Sequence, residues 1–129
     1  KFDKRPHLGL PGYFKGFKEI GDRFGPFDIT MIETGAYNEL WPDIHMFPEQ
    51  SMQAHLDLKG KAMMPIHNGT FDLSLHNWFE PLAEITELGE LNDVSVLTPK
   101  FGEQINLKAL SLTNEWWKNM QLAPRHEVL

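Results

Sequence analysis

Cysteine is absent from this 129-residue sequence, which removes disulfide bridges, a thiolate nucleophile and cysteine-ligated structural zinc together. Any transition metal must then be held by His, Asp or Glu. The same absence suits a reducing compartment, so a cytoplasmic protein is expected, with peripheral membrane association as the alternative. Basic residues are few: 12 Lys and Arg stand against 18 Asp and Glu, a formal charge of -6. Gripping phosphate backbones needs clustered cations to displace counterions, so nucleic acid is not an expected partner. No stretch approaches the roughly 20 apolar residues that span a bilayer. The opening Lys1-Phe2-Asp3-Lys4-Arg5 is not followed by the apolar core of a signal peptide. A chain that opens on Lys1 rather than methionine is expected to be a piece of a longer protein. Local signatures of familiar hydrolases are missing too: there is no His-x-His pair, no His-Glu-x-x-His, no Gly-x-Ser-x-Gly elbow and no glycine-rich phosphate loop.

What is present suits one globular domain over residues 1–129, since 41% apolar and 12% aromatic residues are ordinary for a packed core and no repeat or linker divides the chain. Tyr13, Phe14, Phe17, Ile20 and Phe24 recur at helical spacing and predict an amphipathic helix from Gly12 to Phe24, stopped by Gly25-Pro26. Phe27 to Ile32 reads as a buried strand ended by Gly35, and Ala36 to Phe47 as an aromatic loop. Pro48 suits the first turn of a second helix, closed by Gly60. Lys61 to Ile66 is a second strand, and a third helix from about Pro81 to Leu88 is capped by Gly89. Val94 to Thr98 is a third strand, Gln104 to Leu107 a short edge strand at best, and Thr113 caps a last helix carrying Trp116, Trp117 and Met120. Such alternation predicts an α/β sheet with crossover helices.

Six histidines, at positions 7, 45, 55, 67, 76 and 126, are the natural carriers of chemistry, because imidazole is both a metal ligand and a general base near neutral pH. His67 is the best placed, following a buried strand and preceding the tight turn that Asn68-Gly69 permits. A metal ligand and a capping or core histidine are both open readings there. His45, ahead of Pro48-Glu49, lines a cleft as a proton donor or anion ligand, or is a solvated loop residue. His55 falls mid-helix on the apolar side and reads as a core histidine. His7, His76 and His126 read as surface or terminal residues, and Trp116 and Trp117 as packing. Glu84, Glu87 and Glu90 read as a solvated helix face, whereas Glu33 and Glu39 flank the Gly35-Ala36-Tyr37 turn with no assigned role.

Several segments taken in order carry a resemblance: Gly12 to Asp28, Gly35-Ala36-Tyr37 with Trp41, His45 ahead of Pro48-Glu49, and Ile66-His67-Asn68-Gly69-Thr70-Phe71. Over residues 9–107 the chain resembles the carboxy-terminal half of the metallo-β-lactamase-fold hydrolases that include the N-acylphosphatidylethanolamine phospholipases D and the bacterial RomA-like proteins. That resemblance implies half of an α/β/β/α sandwich, one mixed sheet with helices on its outer face. It implies two zinc ions in the complete protein, a lipid or small-molecule phosphodiester or ester substrate, His67 as a metal ligand and His45 as a catalytic residue. Tyr37 and Trp41 would lie beside the substrate. The remaining ligands belong to an amino-terminal half, the expected partner, so this chain alone is expected to be inactive with zinc absent or incomplete. One departure stands out: the family carries a metal-bridging Asp where this sequence has Leu10 in Gly9-Leu10-Pro11-Gly12-Tyr13. Either the first residues, 1–8 among them, are foreign to the domain, altered or without fixed structure, or the bridging carboxylate has been lost. A non-catalytic binding or self-association domain, forming a homodimer through an exposed apolar face, is the competing expectation.

Overall fold

Three short strands, β1 (Thr30–Glu33), β2 (Ala62–Ile66) and β3 (Ser95–Val96), form one sheet in the order β1-β2-β3. The computed structural model describes residues 12–71, 74–108 and 115–120. Leu10, His7, Thr113, His126, residues 1–8 and the segment after Pro124 lie outside the described residues. Both strand pairs are parallel, so among the described residues the sheet is not the mixed one expected. Between paired strands the chain returns through a crossover helix, the connection that parallel neighbours require. Helix α2 (Pro48–Leu58) joins β1 to β2, and α3 (Glu80–Leu91) joins β2 to β3. The expected edge strand from Gln104 to Leu107 does not form.

Packing follows the two periodicities of the sequence. Ile32, Met63 and Val96 from the strands meet Met52 and Ala54 of α2, Ile85 of α3 and Met46 in one buried cluster. Met31 points to the other side of β1 and is 57% exposed, with its register partner Met64 half-buried. Helix α1 (Gly16–Phe24) lies against α2 and begins later than the predicted Gly12. A Cβ at Gly21 would collide with the Asp57 carbonyl, so this glycine sets how closely the two helices approach. Of the predicted stripe on α1, Phe17 packs at the core edge while Phe14, Ile20 and Phe24 are exposed. A short helix, α4 (Trp116–Met120), buries Trp117, and the Trp116 indole N–H donates to the Thr98 carbonyl at 2.9 Å.

Two glycines read as helix caps act instead by leaving space. Lys59, not Gly60, takes the left-handed conformation at the end of α2, with φ 58°. Gly60 lies against the His55 ring and Thr30, where a Cβ would clash with both. Gly89 is inside α3, which runs on to Leu91, and its missing side chain admits Val96 of β3. Asn92 then closes the helix, its side-chain amide donating to the Leu88 carbonyl at 2.8 Å.

His55 is the core histidine the pattern predicts: 1% exposed, with Nδ1 2.7 Å from the Thr30 hydroxyl. Burial pushes its imidazole below the ordinary range. Below the ordinary imidazole value the unfolded chain takes up a proton that the folded chain resists, so stability falls as pH drops toward the folded-state value. Thermal unfolding of the protein is expected to show a lower midpoint at about pH 5 than at about pH 7, and His55→Gln to flatten that dependence. Truncating the core should act at all pH values: Ile85→Ala is expected to cost about 2–5 kcal/mol, read from the urea midpoint.

Candidate metal centre

The parallel register assembles the site. Glu33 ends β1, and its partner Ile66 ends β2, so the next residue, His67, emerges beside Glu33 at the carboxyl edge of the sheet. The Thr34 N–H donates to the Ile66 carbonyl at 2.9 Å and carries the pairing one residue further. His67 adopts φ 63° and Gly69 φ 72°, the sharp turn that the Asn-Gly sequence predicts. A Cβ at Gly35 would collide with the His67 carbonyl, so a glycine is needed where the two strand ends pass.

The aromatic loop then folds back over this edge. Glu33 is 6% exposed and accepts on both carboxylate oxygens: from His45 Nδ1 at 3.0 Å and from the Met46 N–H at 3.0 Å. Its backbone carbonyl accepts from the Ser51 hydroxyl at 2.7 Å, tying the end of β1 to α2. The His45 ring stacks on the exposed His67 ring, centroids 5.2 Å apart at 19°. Ligand-type atoms of Glu33, His45 and His67 all lie within 4.8 Å of one another. Two imidazoles and one carboxylate are donor types that a divalent transition metal accepts, and the exposed His67 is the member most open to an ion.

Two of the predicted site residues, His45 and His67, are therefore brought together; Tyr37 and Trp41 are placed differently. Tyr37 is buried, stacked on His76 with centroids 4.3 Å apart, and its hydroxyl donates to Glu84 at 3.1 Å. Burial, then the Glu84 charge, pushes the Tyr37 hydroxyl far above its ordinary range. Burial likewise raises the Glu84 carboxyl, partly offset by the bond from Tyr37. Glu84 is thus no solvated face residue, because Tyr37 reaches it from a loop 47 positions away. The half-buried Trp41 indole N–H donates to the Ala36 carbonyl at 2.7 Å, bracing the loop that carries His45. His76 is not a surface residue either. Its Nδ1 donates to the Asn77 carbonyl at 3.0 Å, while Nε2 is buried without a hydrogen-bond partner. Glu39 is exposed. Beside His67, on the side of the sheet carrying Met64, runs a groove of about 690 Å³ lined by Ile66, Phe71, Pro99, Phe101 and Trp116.

Comparison with known proteins shows what the chain is similar to. Residues 7–68 match the model of the beta-lactamase superfamily domain, a segment that includes all three clustered residues. Over that segment the chain is similar to the beta-lactamase superfamily. An uncharacterized protein of Mycobacterium tuberculosis is 42% identical over 113 residues, covering 85% of this chain and 30% of the relative. The outer membrane protein RomA of Klebsiella pneumoniae is 46% identical over 63 residues, 49% of this chain and 48% of the relative. An N-acyl-phosphatidylethanolamine-hydrolyzing phospholipase D of Caenorhabditis elegans is 32% identical over 94 residues, 67% of this chain and 26% of the relative. The matched part of the chain thus spans less than half the length of each. No helix among its described residues is long and apolar enough to cross a membrane.

Glu33 is the member of the cluster to which sequence reading gave no role. Its signal was positional: it stands at the carboxyl end of its strand, as His67 follows the end of its own. The brace beneath the loop is directly testable. Tyr37→Phe is expected to cost about 0.5–1.5 kcal/mol, since Glu84 loses a donor but keeps partial access to water, and urea unfolding would measure it.

Proposed function

We propose that the protein to which this chain belongs is a metal-dependent hydrolase of phosphodiesters or related esters. The meeting of His67, His45 and Glu33 at the carboxyl edge of a parallel sheet carries the reading. In it, residues 1–129 are one domain, the carboxy-terminal half of an α/β/β/α sandwich with helices on the outer face. An amino-terminal half contributes most ligands of a two-zinc site and covers the sheet face that bears Met31 and Met64. His67 holds metal as a neutral imidazole, and bound zinc supplies a Lewis acid and an activated water. His45 binds the substrate or protonates its leaving group. Trp41 and Tyr37 contribute to substrate binding by shaping the loop wall. The phosphodiester class is supported by the Caenorhabditis relative, whose name states hydrolysis of N-acyl-phosphatidylethanolamine. This chain on its own is inactive, with its zinc site incomplete.

The second reading is a non-catalytic domain that binds a partner or a second copy of itself. The exposed Met31, Phe71 and Phe101, at 57%, 74% and 80%, favour it, because apolar surface concentrated near one groove seeks cover. Elemental analysis and hydrolysis of bis(p-nitrophenyl) phosphate, on the full-length protein and on this chain after dialysis against zinc, separate the two. The hydrolase reading expects bound metal and turnover in the full-length protein, both lost in this chain and both strongly reduced by His67→Ala. A full-length protein that binds no metal and turns nothing over would leave the binding domain.

A further inference from the structure

Within the cluster, Glu33 differs from the two histidines in one respect: both of its carboxylate oxygens already accept hydrogen bonds from the protein, and its side chain is 5% exposed. The donors are the His45 ring and the peptide N–H of the next residue, Met46. One carboxylate therefore grips the imidazole and the backbone that carries it, fixing the ring and its attachment point together. A carboxylate facing Nδ1 takes the proton on that nitrogen, which leaves Nε2, at the far side of the ring, as the atom that can accept a proton or pass one on. The His67 ring, stacked on His45, restricts the imidazole from its face.

We infer that Glu33 is a positioning residue that acts through His45, holding its Nδ1–H against the carboxylate so that Nε2 is the ring nitrogen left for substrate and proton transfer, rather than a metal ligand. The inference rests on the proposed role of His45 in hydrolysis. A carboxylate that is nearly enclosed and engaged at both oxygens would have to release a donor to approach an ion closely, and each lost bond would leave a buried polar group unpaired. Holding the imidazole in advance removes a search over ring rotations and tautomers from the reaction, which is the physical value of a carboxylate behind a histidine. The anchoring of the Glu33 carbonyl by Ser51 keeps the clamp itself from moving with the loop.

Glu33→Gln is the informative change, because an amide offers one acceptor and one donor where two donors wait, so one of the two bonds must be lost. In the full-length zinc-loaded protein with bis(p-nitrophenyl) phosphate, E33Q is expected to lower kcat about tenfold to a hundredfold while metal content is unchanged. KM should stay within about twofold, since only the reacting geometry is disturbed. Adding E33Q to His45→Ala should change kcat by less than about twofold, because a residue acting through His45 has nothing left to position. Long-range proton–nitrogen correlation on the unmutated protein is expected to report His45 as the Nδ1–H tautomer, a readout independent of turnover and of how well any variant folds. Loss of metal in E33Q, multiplicative effects of the two changes, or an Nε2–H tautomer would each overturn the inference. An unmutated protein without turnover would sink the hydrolase reading instead, and the tautomer and metal content would still decide whether Glu33 orients His45 or binds metal.

Discussion

The parallel pairing of β1 with β2 positions everything at the carboxyl edge of this sheet, because it sets Glu33 against Ile66 and thereby puts His67 beside the Glu33 carboxylate. Side chains alternate along a strand, so a slip of one residue would turn Ile32 away from the core and Glu33 away from His45. The register is held by burial: Ile32 and Met63 lie under α2 and α3, and the opposite register would expose them. Core packing and site geometry are thus one constraint, and the small residues that permit it, Gly35 beside His67, Gly60 beside His55 and Gly89 beside Val96, are part of the same arrangement.

Much of this was legible in the sequence, and what was missed has a common cause. Helices and strands declare themselves by local periodicity, so all three strands and the three longer helices were found, with ends displaced by a few residues. His67 was legible from its place after an apolar strand and before Asn-Gly, and His45 mainly through family resemblance. The roles of Glu33, Glu84 and His76 were not, because each depends on a loop closing onto another element: Glu33 on a histidine 12 positions later, Glu84 on a tyrosine 47 positions earlier. The glycines show the same limit from another side. A glycine near a helix end can supply a positive φ or simply room, and only the packed structure reveals that Gly60 and Gly89 supply room. The mixed sheet was expected from the family, whereas the described strands are joined by crossover helices and are parallel.

The sheet has two unlike sides. Toward α2 and α3 it is sealed; on the Met31 side it presents sulfur and aromatic surface next to a groove that His67 helps to line. A chemistry-bearing edge on the boundary between a closed and an open face can be completed by whatever covers the open one. This agrees with a chain that spans only 30% of its mycobacterial relative.

The double grip of Glu33 on His45 and Met46 also divides the aromatic loop into two mechanically separate parts. The chain from Thr34 to Ile44 is a closed noose whose knot is a buried carboxylate and whose near side is pinned by Thr34 and Tyr37, so length added at its exposed tip is uncoupled from the orientation of the histidine at its neck. Lengthening a flexible loop costs only about 0.6 kcal/mol per doubling, and extra residues near the exposed Glu39 and Leu40 would swell the noose without loosening the knot. The segment from Asn38 to Asp43 is therefore where a lineage carrying this fold has room to reshape what this edge of the sheet admits without disturbing the placement of the imidazole.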